Sequence, residues 1–194
     1  MASVIRFDNW QNTDGTSIAT TNASGDITFA GGVSGAGKIL QVVQTVKTNA
    51  FATSSTTAEV DITGFNVSIT PTSASSKILV DIHMFGGEQQ DDFPVFKLYR
   101  DTTVVVLGDS IPPGRQATFG YCNTGNDARD QYLITPVSFK YLDSPATTSQ
   151  VTYKVTVSPM GTSNRIFYLN RSHTIGDANQ MTTVSTMTLM EVAG

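Results

Sequence analysis

Apolar residues in the second half of the chain recur at every second position rather than at helical spacing. Across residues 151–157, valine and tyrosine alternate with threonine and lysine, so that one face of a strand meets a core and the other meets water. Residues 138–142 predict a partner strand, and residues 143–149 contain the Asp, Ser and Pro that favour turns. The stretch 138–157 therefore predicts two strands of a β-sandwich.

The same period of two continues through most of the chain after residue 37, and no segment has a convincing helical period. Clusters of Gly, Pro, Asn, Asp and Ser separate the apolar runs and mark turns. Roughly nine or ten strands in this arrangement are typical of a β-sandwich or jelly roll, in which two sheets hide their apolar faces against each other. The predicted strands are 38–47, 57–62, 65–70, 77–85, 93–100, 102–107, 132–142, 151–157, 166–170 and 182–192, with a further short strand at 117–122.

Residues 1–37 differ from the rest because they are polar and carry large apolar residues only at isolated positions. Such spacing is too sparse for a core, although residues 26–29 predict one brief strand. A segment of this kind becomes ordered when other chains cover its apolar side chains, since it cannot offset its own conformational entropy. We interpret 1–37 as an extended attachment arm ending in a glycine-rich hinge, with Phe7, Trp10 and Phe29 as contact residues. A disordered leader is the alternative.

Charge is scarce along the chain, and this narrows the classes of function. Only 14% of the residues are charged, the net charge is -4 and the pI is about 5.0, which argues against the basic surface that nucleic-acid binding needs. No apolar run approaches the roughly 20 residues of a membrane span, and no secretory signal is visible at the N-terminus. We therefore expect neither nucleic-acid binding nor membrane insertion.

Residue types that carry catalysis or bind cofactors do not form a recognisable motif. Cys122 is the single cysteine, which excludes an internal disulfide and CxxC sites. His83 and His173 are the two histidines, and no Gly-x-Ser-x-Gly nucleophile motif accompanies them. Residues 32–38 approach a phosphate-binding loop, but Ile39 stands where a magnesium-binding Ser or Thr is required. We expect no enzyme activity and no cofactor, and the sequence contains no metal-binding motif.

Two loops are the candidates for contact with a partner, because a rigid sandwich displays its variable chemistry on loops. One carries the acidic residues Glu88, Asp91 and Asp92, whose spacing matches no calcium-binding motif, although a metal ion in this loop stays an open alternative. The other is the longest irregular stretch of the chain, which contains Arg115 and Asn126. Solvated loop tips without a partner are the simpler interpretation of both.

The closing strand of the chain has apolar residues on both of its faces. A strand at the end of a chain needs partners on its edges, because an exposed edge invites aggregation. We predict a central strand whose second face packs on another subunit, and a monomer with that face wetted by threonines is the alternative. The predicted interface residues are Val184, Thr186, Thr188, Met190 and Val192.

Short motifs along the chain resemble those of a group of tailed-phage virion proteins. Proteins of this group are common in phages of marine bacteria and cyanobacteria and are usually labelled tail-fibre or virion structural proteins. The resemblance covers most of the chain from residue 38 onward, and residues 6–10 resemble short virion-attachment leaders. The motifs are Lys38-Ile39-Leu40-Gln41-Val42-Val43, Ser68-Ile69-Thr70-Pro71, Ser75-Ser76-Lys77-Ile78-Leu79-Val80, Leu98-Tyr99-Arg100, residues 138–157, Tyr168-Leu169-Asn170-Arg171-Ser172 and Leu189-Met190-Glu191-Val192.

The resemblance implies a homotrimer located on the virion, with residues 38–194 as its jelly-roll head. The strand order is also similar to the trimeric jelly roll of complement-globular-head and tumour-necrosis-factor-type domains, in which the last strand lies near the threefold interface. The protein is then a fibre or receptor-binding tip, attached to other virion proteins through 1–37 and able to face a host surface glycan or receptor. A capsid decoration protein is the alternative, and a carbohydrate-active depolymerase, which needs paired carboxylates in one cleft, is a third hypothesis.

Overall fold

The structure, a computed structural model, describes residues 9–11, 13–22, 24, 27–29, 38–54, 58–88, 93–112, 114–121, 132–158, 166–176, 178 and 180–194. These residues form fourteen β-strands and contain no α-helix. The strands are β1 (Asn9–Gln11), β2 (Ser17–Thr21), β3 (Ile27–Phe29), β4 (Ile39–Lys47), β5 (Phe51–Thr53), β6 (Val60–Ile69), β7 (Lys77–Glu88), β8 (Val95–Arg100), β9 (Thr103–Val104), β10 (Phe119–Gly120), β11 (Ile134–Asp143), β12 (Val151–Ser158), β13 (Phe167–Leu169) and β14 (Ser185–Val192).

The chain divides into two compact units, Met1–Gly37 and Lys38–Gly194. In the first unit, β1, β2 and β3 form a small antiparallel sheet with β2 in the centre. Among the residues of this unit whose side chains the structure describes, only Ala19 in β2 is buried. The brief strand predicted at residues 26–29 is confirmed as β3.

The second unit is a sandwich of two antiparallel sheets, which confirms the predicted all-β jelly-roll class. Sheet 1 has the order β4-β14-β7-β13-β5, and β11 pairs with the other edge of β7. Sheet 2 has the order β10-β8-β12-β6, and β9 also pairs with β8. The chain crosses between the sheets after β5, β6, β7, β10, β11 and β12, as in a jelly roll.

The core lies between the two sheets and follows from the alternation in the sequence. Along β14, buried and half-buried residues strictly alternate, and β12 adds a continuous buried run at residues 155–157. Burial of such side chains stabilises the fold by about 25 cal/mol per Å² of apolar surface. The core residues are Ile62, Phe65, Val67, Ile69, Ile78, Val80, Ile82, Met84, Phe96, Leu98, Val151, Tyr153, Val155, Val157, Phe167, Leu169, Met187 and Leu189.

Residues 60–69 form one strand where the sequence predicts two, ending at residue 62 and beginning at residue 65. Gly64 lies in the predicted gap between them, but β6 runs through it, and its φ is 73°. Four residues of β6, 62–65, stand between two paired positions where β12 has only Val155. Gly64 therefore marks a bulge, because glycine adopts positive φ without a steric penalty.

One buried polar group joins the two sheets at an end of the sandwich. The Tyr153 hydroxyl on β12 donates a 2.6 Å hydrogen bond to Asp143 Oδ2 on β11, and Arg100 on β8 forms an ion pair with the same carboxylate oxygen. Burial and the bond to Asp143 raise the pKa of Tyr153. The three side chains satisfy one another where an unpaired buried charge would destabilise the fold.

β13 and β14 behave as one strand that is interrupted by an excursion of the chain. β13 pairs with the end of β7, at Gly86–Glu88, and β14 pairs with its beginning, at Lys77–His83. Between these two positions, Asn170 N–H donates to Phe85 O at 2.9 Å and Phe85 N–H donates to Ser185 Oγ at 3.2 Å. Residues 171–184 thus leave and rejoin the sheet at a single point.

Asn170 holds that point together. Its Nδ2 donates to Lys47 O at 2.7 Å and to Asn49 O at 3.3 Å, where β4 gives way to β5. Its Oδ1 accepts a 2.6 Å hydrogen bond from Ser185 Oγ. Asn170 is 1% exposed and has a φ of 63°, a conformation that asparagine tolerates better than most residues.

Glu191 on β14 is fully buried and fastens the loop at residues 70–76. Its Oε1 accepts 2.7 Å hydrogen bonds from both the backbone N–H and the hydroxyl of Thr72, and its Oε2 accepts one of 2.6 Å from Gln41 Nε2. Burial alone would raise the pKa of Glu191, but these hydrogen bonds lower it to about 2. The ionised form is therefore the one that the fold stabilises.

Replacing Glu191 by Gln is expected to lower the free energy of unfolding by about 2 kcal/mol at neutral pH, because the amide loses hydrogen bonds that a charged acceptor makes. The pKa of Glu191 is about 2 in the fold against an ordinary 4.5. Its stabilising contribution is complete above pH 4.5 and is lost as the pH falls towards 2. Urea unfolding at several pH values should therefore show the gap between wild type and E191Q closing on acidification. Asp109→Asn, at an exposed carboxylate, is the control, and a pH-independent gap would contradict the assignment.

Asn170→Ala and Asn170→Gly are expected to separate two roles of this residue. Both variants lose the amide hydrogen bonds, which we expect to lower the free energy of unfolding by about 2 to 3 kcal/mol. The alanine variant should lose about 1 kcal/mol more, because only glycine accepts the positive φ without strain. Chemical unfolding of the two proteins measures the difference, and equal stabilities would show that the backbone conformation does not select asparagine.

Candidate functional site

The outer face of sheet 1 carries the residues predicted to form a subunit contact. β14 lies between β4 and β7, so the expected central position of the closing strand is found. Of the five predicted residues, four alternate with core residues along β14 and are half-buried on this outer face, and the fifth, Val184, precedes the strand and is exposed. The four are Thr186, Thr188, Met190 and Val192.

Strand register arranges the outer face of sheet 1 in rows that cross four strands. One row is entirely apolar, with Val42 and Leu142 at its exposed ends, 54% and 44% exposed. Two half-buried residues lie between them. The pairing of β4 with β14, of β14 with β7 and of β7 with β11 places the four residues in one line. The apolar row, as we name it, is Val42, Met190, Leu79 and Leu142.

The next row is polar, and the row after it carries the exposed Val46 beside three polar residues. Most polar side chains of these two rows are paired with one another. Gln44 Nε2 donates to Thr188 Oγ1 at 2.7 Å, and Lys140 forms a 2.9 Å ion pair with Asp81 in the same row. In the following row His83 Nδ1 lies 2.8 Å from Ser138 Oγ. The outer face of sheet 1 therefore combines an apolar row and the exposed Val46 with polar side chains that make their own hydrogen bonds.

The outer face of sheet 2, on the opposite side of the sandwich, contains an open cleft of about 340 Å³. The bulge at residues 62–65 lies beside it, since Asp61 and Lys154 both border the bulge and both line the cleft. Bulges commonly re-aim side chains next to functional sites. The residues that line the sheet-2 cleft are Glu59, Asp61, Tyr99, Thr102, Lys154 and Thr156.

Glu59 is the most extensively bonded group in the sheet-2 cleft. Lys97 Nζ lies 2.7 Å from its Oε2, and the Thr156 hydroxyl donates to its Oε1 at 2.6 Å. Burial alone would raise the pKa of Glu59, but hydrogen bonds from Lys97, Thr156 and Tyr99 lower it below its ordinary value. The carboxylate is thus ionised and fixed in place at neutral pH.

Lys154 and Tyr99 form the other half of the cleft. Lys154 Nζ lies 2.8 Å from Asp61 Oδ2 and 5.6 Å from the centre of the Tyr99 ring. Burial, the hydrogen bond to Glu59 and the two nearby carboxylates raise the pKa of Tyr99 to about 12. The phenol therefore keeps its proton at neutral pH and acts as a hydrogen-bond donor.

The residues predicted for the exposed loops are only partly described. Glu88 is the last residue of β7, where its backbone pairs with β13, while Asp91, Asp92 and Asn126 lie outside the described residues. Arg115 is exposed, but its guanidinium donates to two backbone carbonyls, Ser158 O at 3.1 Å and Phe93 O at 2.8 Å. Part of its hydrogen-bonding capacity therefore serves to hold loop backbone, and its role in binding stays a prediction.

The residues predicted for the attachment arm fall on the sheet of the first unit or before it. Trp10 lies in β1 and is 54% exposed. Phe29 is the last residue of β3, and Phe7 lies outside the described residues. The Trp10 side chain is therefore only partly covered within the first unit.

Sequence reasoning missed the sheet-2 cleft because its residues are far apart along the chain. The outward positions of Tyr99 and Lys154 follow from the alternation on their strands, but their alignment depends on the pairing of β8 with β12. Within the described part of the chain, no three residues of the types His, Cys, Asp and Glu are grouped to hold a metal ion. No helix in that part is long and apolar enough to span a membrane.

No protein-family model matches the chain, and no curated protein matches it. Among solved structures, it is similar to a chain in the structure of infectious bursal disease virus, Gt strain, with 10% sequence identity and a TM-score of 0.45 over 87% of this chain and 44% of that chain. It is also similar to a chain in the structure of the Gx strain of the same virus, with 12% identity and a TM-score of 0.39 over 79% of this chain and 36% of that chain. The chain thus spans less than half the length of these two solved chains.

Proposed function

We propose that the chain is a structural protein of a phage virion, assembled as a homotrimer and acting as a fibre or receptor-binding tip. Residues 38–194 form its head, which associates with two further copies through the outer face of sheet 1. Residues 1–37 attach it to other virion proteins. The observation that carries this proposal is the apolar row on the outer face of sheet 1, which agrees with the trimeric head implied by the sequence resemblance.

The composition of the outer face of sheet 1 suits contact with a second copy of the chain. Single exposed apolar residues are ordinary on a protein surface, but contiguous apolar patches mark interaction sites. The apolar row is contiguous across four strands, and Leu40, 40% exposed, adds to it on β4. The polar side chains beside it are largely paired with one another, as between Gln44 and Thr188, so that burying them costs less free energy than burying unpaired groups.

The first unit suits attachment because its sheet is too small to be stable by itself. Its strands have three, five and three residues, and isolated small sheets need an apolar face packed on something else. Trp10, in β1, is 54% exposed and would be covered by such packing. The proposed role for residues 1–37 is therefore to become fixed by contact with the particle, through Trp10 and the predicted Phe7 and Phe29.

Val42→Arg is expected to convert the trimer into monomers, because it places a charge in the apolar row of the proposed contact. Val42 is 54% exposed, so the fold should tolerate the change with less than about 0.5 kcal/mol of destabilisation. Light scattering coupled to size exclusion measures the mass of the full chain and of residues 38–194. Ile111→Arg is the matched control, since Ile111 is an exposed apolar residue outside this face and should leave the trimer intact. A monomeric wild-type head, or a trimeric V42R protein, would contradict the proposed interface.

The position on the particle is tested by labelling intact virions with gold-conjugated antibodies against residues 38–194. We expect label at the tail fibres, because the proposal places the head at a receptor-binding tip. Label spread over the capsid shell would replace the fibre function by capsid decoration. A complete absence of label from purified virions would refute a virion role of either kind.

A further inference from the structure

We propose that the sheet-2 cleft binds a neutral sugar residue of a surface glycan. The inference rests on the proposed function in one respect, since it takes sheet 2 as the displayed side of a head that associates through sheet 1. The chemistry that selects the ligand comes from the cleft itself. It is set by charge balance, by the hydroxyl groups and by the tyrosine.

The charges in the cleft are balanced in pairs, which disfavours a charged ligand. Glu59 is neutralised by Lys97 at 2.7 Å and Asp61 by Lys154 at 2.8 Å. A cation would have to displace an ammonium group from its carboxylate, and an anion would have to displace a carboxylate from its ammonium group. A neutral ligand can exchange hydrogen bonds with these groups while both ion pairs stay in place.

The polar groups that line the cleft match a ligand that both donates and accepts hydrogen bonds. Ionised carboxylates only accept and ammonium groups only donate, whereas threonine hydroxyls do both. Glu59, Lys154 and Thr102 all line the cleft and together present each of these three kinds of partner. Sugar hydroxyls, which donate and accept at adjacent positions, match such a surface, and hydrogen bonds to charged partners are the stronger ones.

Tyr99 gives the cleft an aromatic wall. Its hydroxyl is held by Glu59, and its ring contributes apolar surface beside the charged groups of Lys154 and Asp61. The C–H faces of a pyranose ring pack on aromatic rings, while its hydroxyls point outward towards polar partners. A tyrosine among paired charges thus suits an amphipathic ring better than a fully polar solute.

The size of the cleft fits a single sugar unit of a longer chain. At about 340 Å³ it lies at the small end of the usual ~300–1,000 Å³ range of ligand sites. The cleft is open, so the rest of a polymer can continue beyond it. Binding at one such site is weak, and three sites on one trimer raise the overall affinity for a multivalent surface through effective concentration.

The experiment is saturation-transfer NMR on the full chain with free methyl glycosides. The neutral probes are the methyl α-glycosides of glucose, mannose, galactose and rhamnose, and glucosamine and glucuronic acid are the charged comparators. We expect transfer to at least one neutral glycoside and little to either charged sugar. No transfer to any neutral glycoside, or transfer only to a charged one, would overturn the proposal.

Variants on and off the cleft test the assigned residues. Tyr99→Ala removes the aromatic wall, and Asp61→Asn unbalances one ion pair; each should weaken binding at least roughly tenfold, the effect expected for one hydrogen bond to a charged group. Thr102→Phe fills the cleft from an exposed turn position. It tests the site even if the other two variants fold poorly. Asp109→Asn is the matched control, because it makes the same substitution at an exposed carboxylate that does not line the cleft, and it should leave the signal unchanged. Equal binding by Y99A, D61N and T102F would overturn the site.

The same assay separates this inference from the proposed function. Saturation transfer reports each site by itself and does not depend on assembly. Monomeric V42R that still binds a glycoside supports both ideas, because it places the two surfaces on opposite sheets. Glycoside binding by a wild-type protein that proves monomeric would contradict the trimer alone, and a trimer that binds no neutral glycoside would contradict the sugar site alone.

Discussion

The second unit depends on one constraint. Its last strand must lie inside sheet 1, between strands that come earlier in the chain. β14 has to enter between β4 and β7, and the strand that precedes it, β13, already occupies the far end of β7. Asn170 makes this possible, because one buried side chain accepts from Ser185 and donates to the backbone where β4 gives way to β5. Glu191 then fixes the other end of β14 to the loop at residues 70–76. The two side chains thus hold the opposite ends of β14.

The low charge of the chain gives its few ion pairs a particular importance. Asp143 is buried and joins the sheets with Arg100 and Tyr153, while most of the others stand on the outer faces. Exposed ion pairs stabilise a fold by only about 0 to 1 kcal/mol, so stability does not explain why two of them border one cleft. Their effect is to fix the orientation of the polar groups in the sheet-2 cleft before any ligand arrives, which reduces the conformational entropy lost on binding.

The sequence carried enough information for the fold class and for most strand positions, because the period of two is strong wherever one face is buried. The prediction at 38–47 agrees with β4, and the one at 151–157 agrees with β12. The error at Gly64 arose because glycine marks both turns and bulges, and only the pairing partner distinguishes them. The sheet-2 cleft could not be predicted, since Glu59 and Thr156 are brought together by a register that local pattern does not encode. The predicted loop residues depended on exposure alone, which says little about the role of a side chain such as Arg115.

The interrupted strand has a consequence for how this protein can diverge. The excursion at residues 171–184 begins and ends at neighbouring points, since Thr183 N–H donates to Asn170 O at 3.0 Å and Arg171 pairs with Thr182. A segment closed at its base in this way can change in length and composition without shifting the register of β14, and loop length itself costs little free energy. The jelly roll therefore carries a built-in insertion point at the edge of its central strand. New surface chemistry can be acquired there while the core and both outer faces are kept.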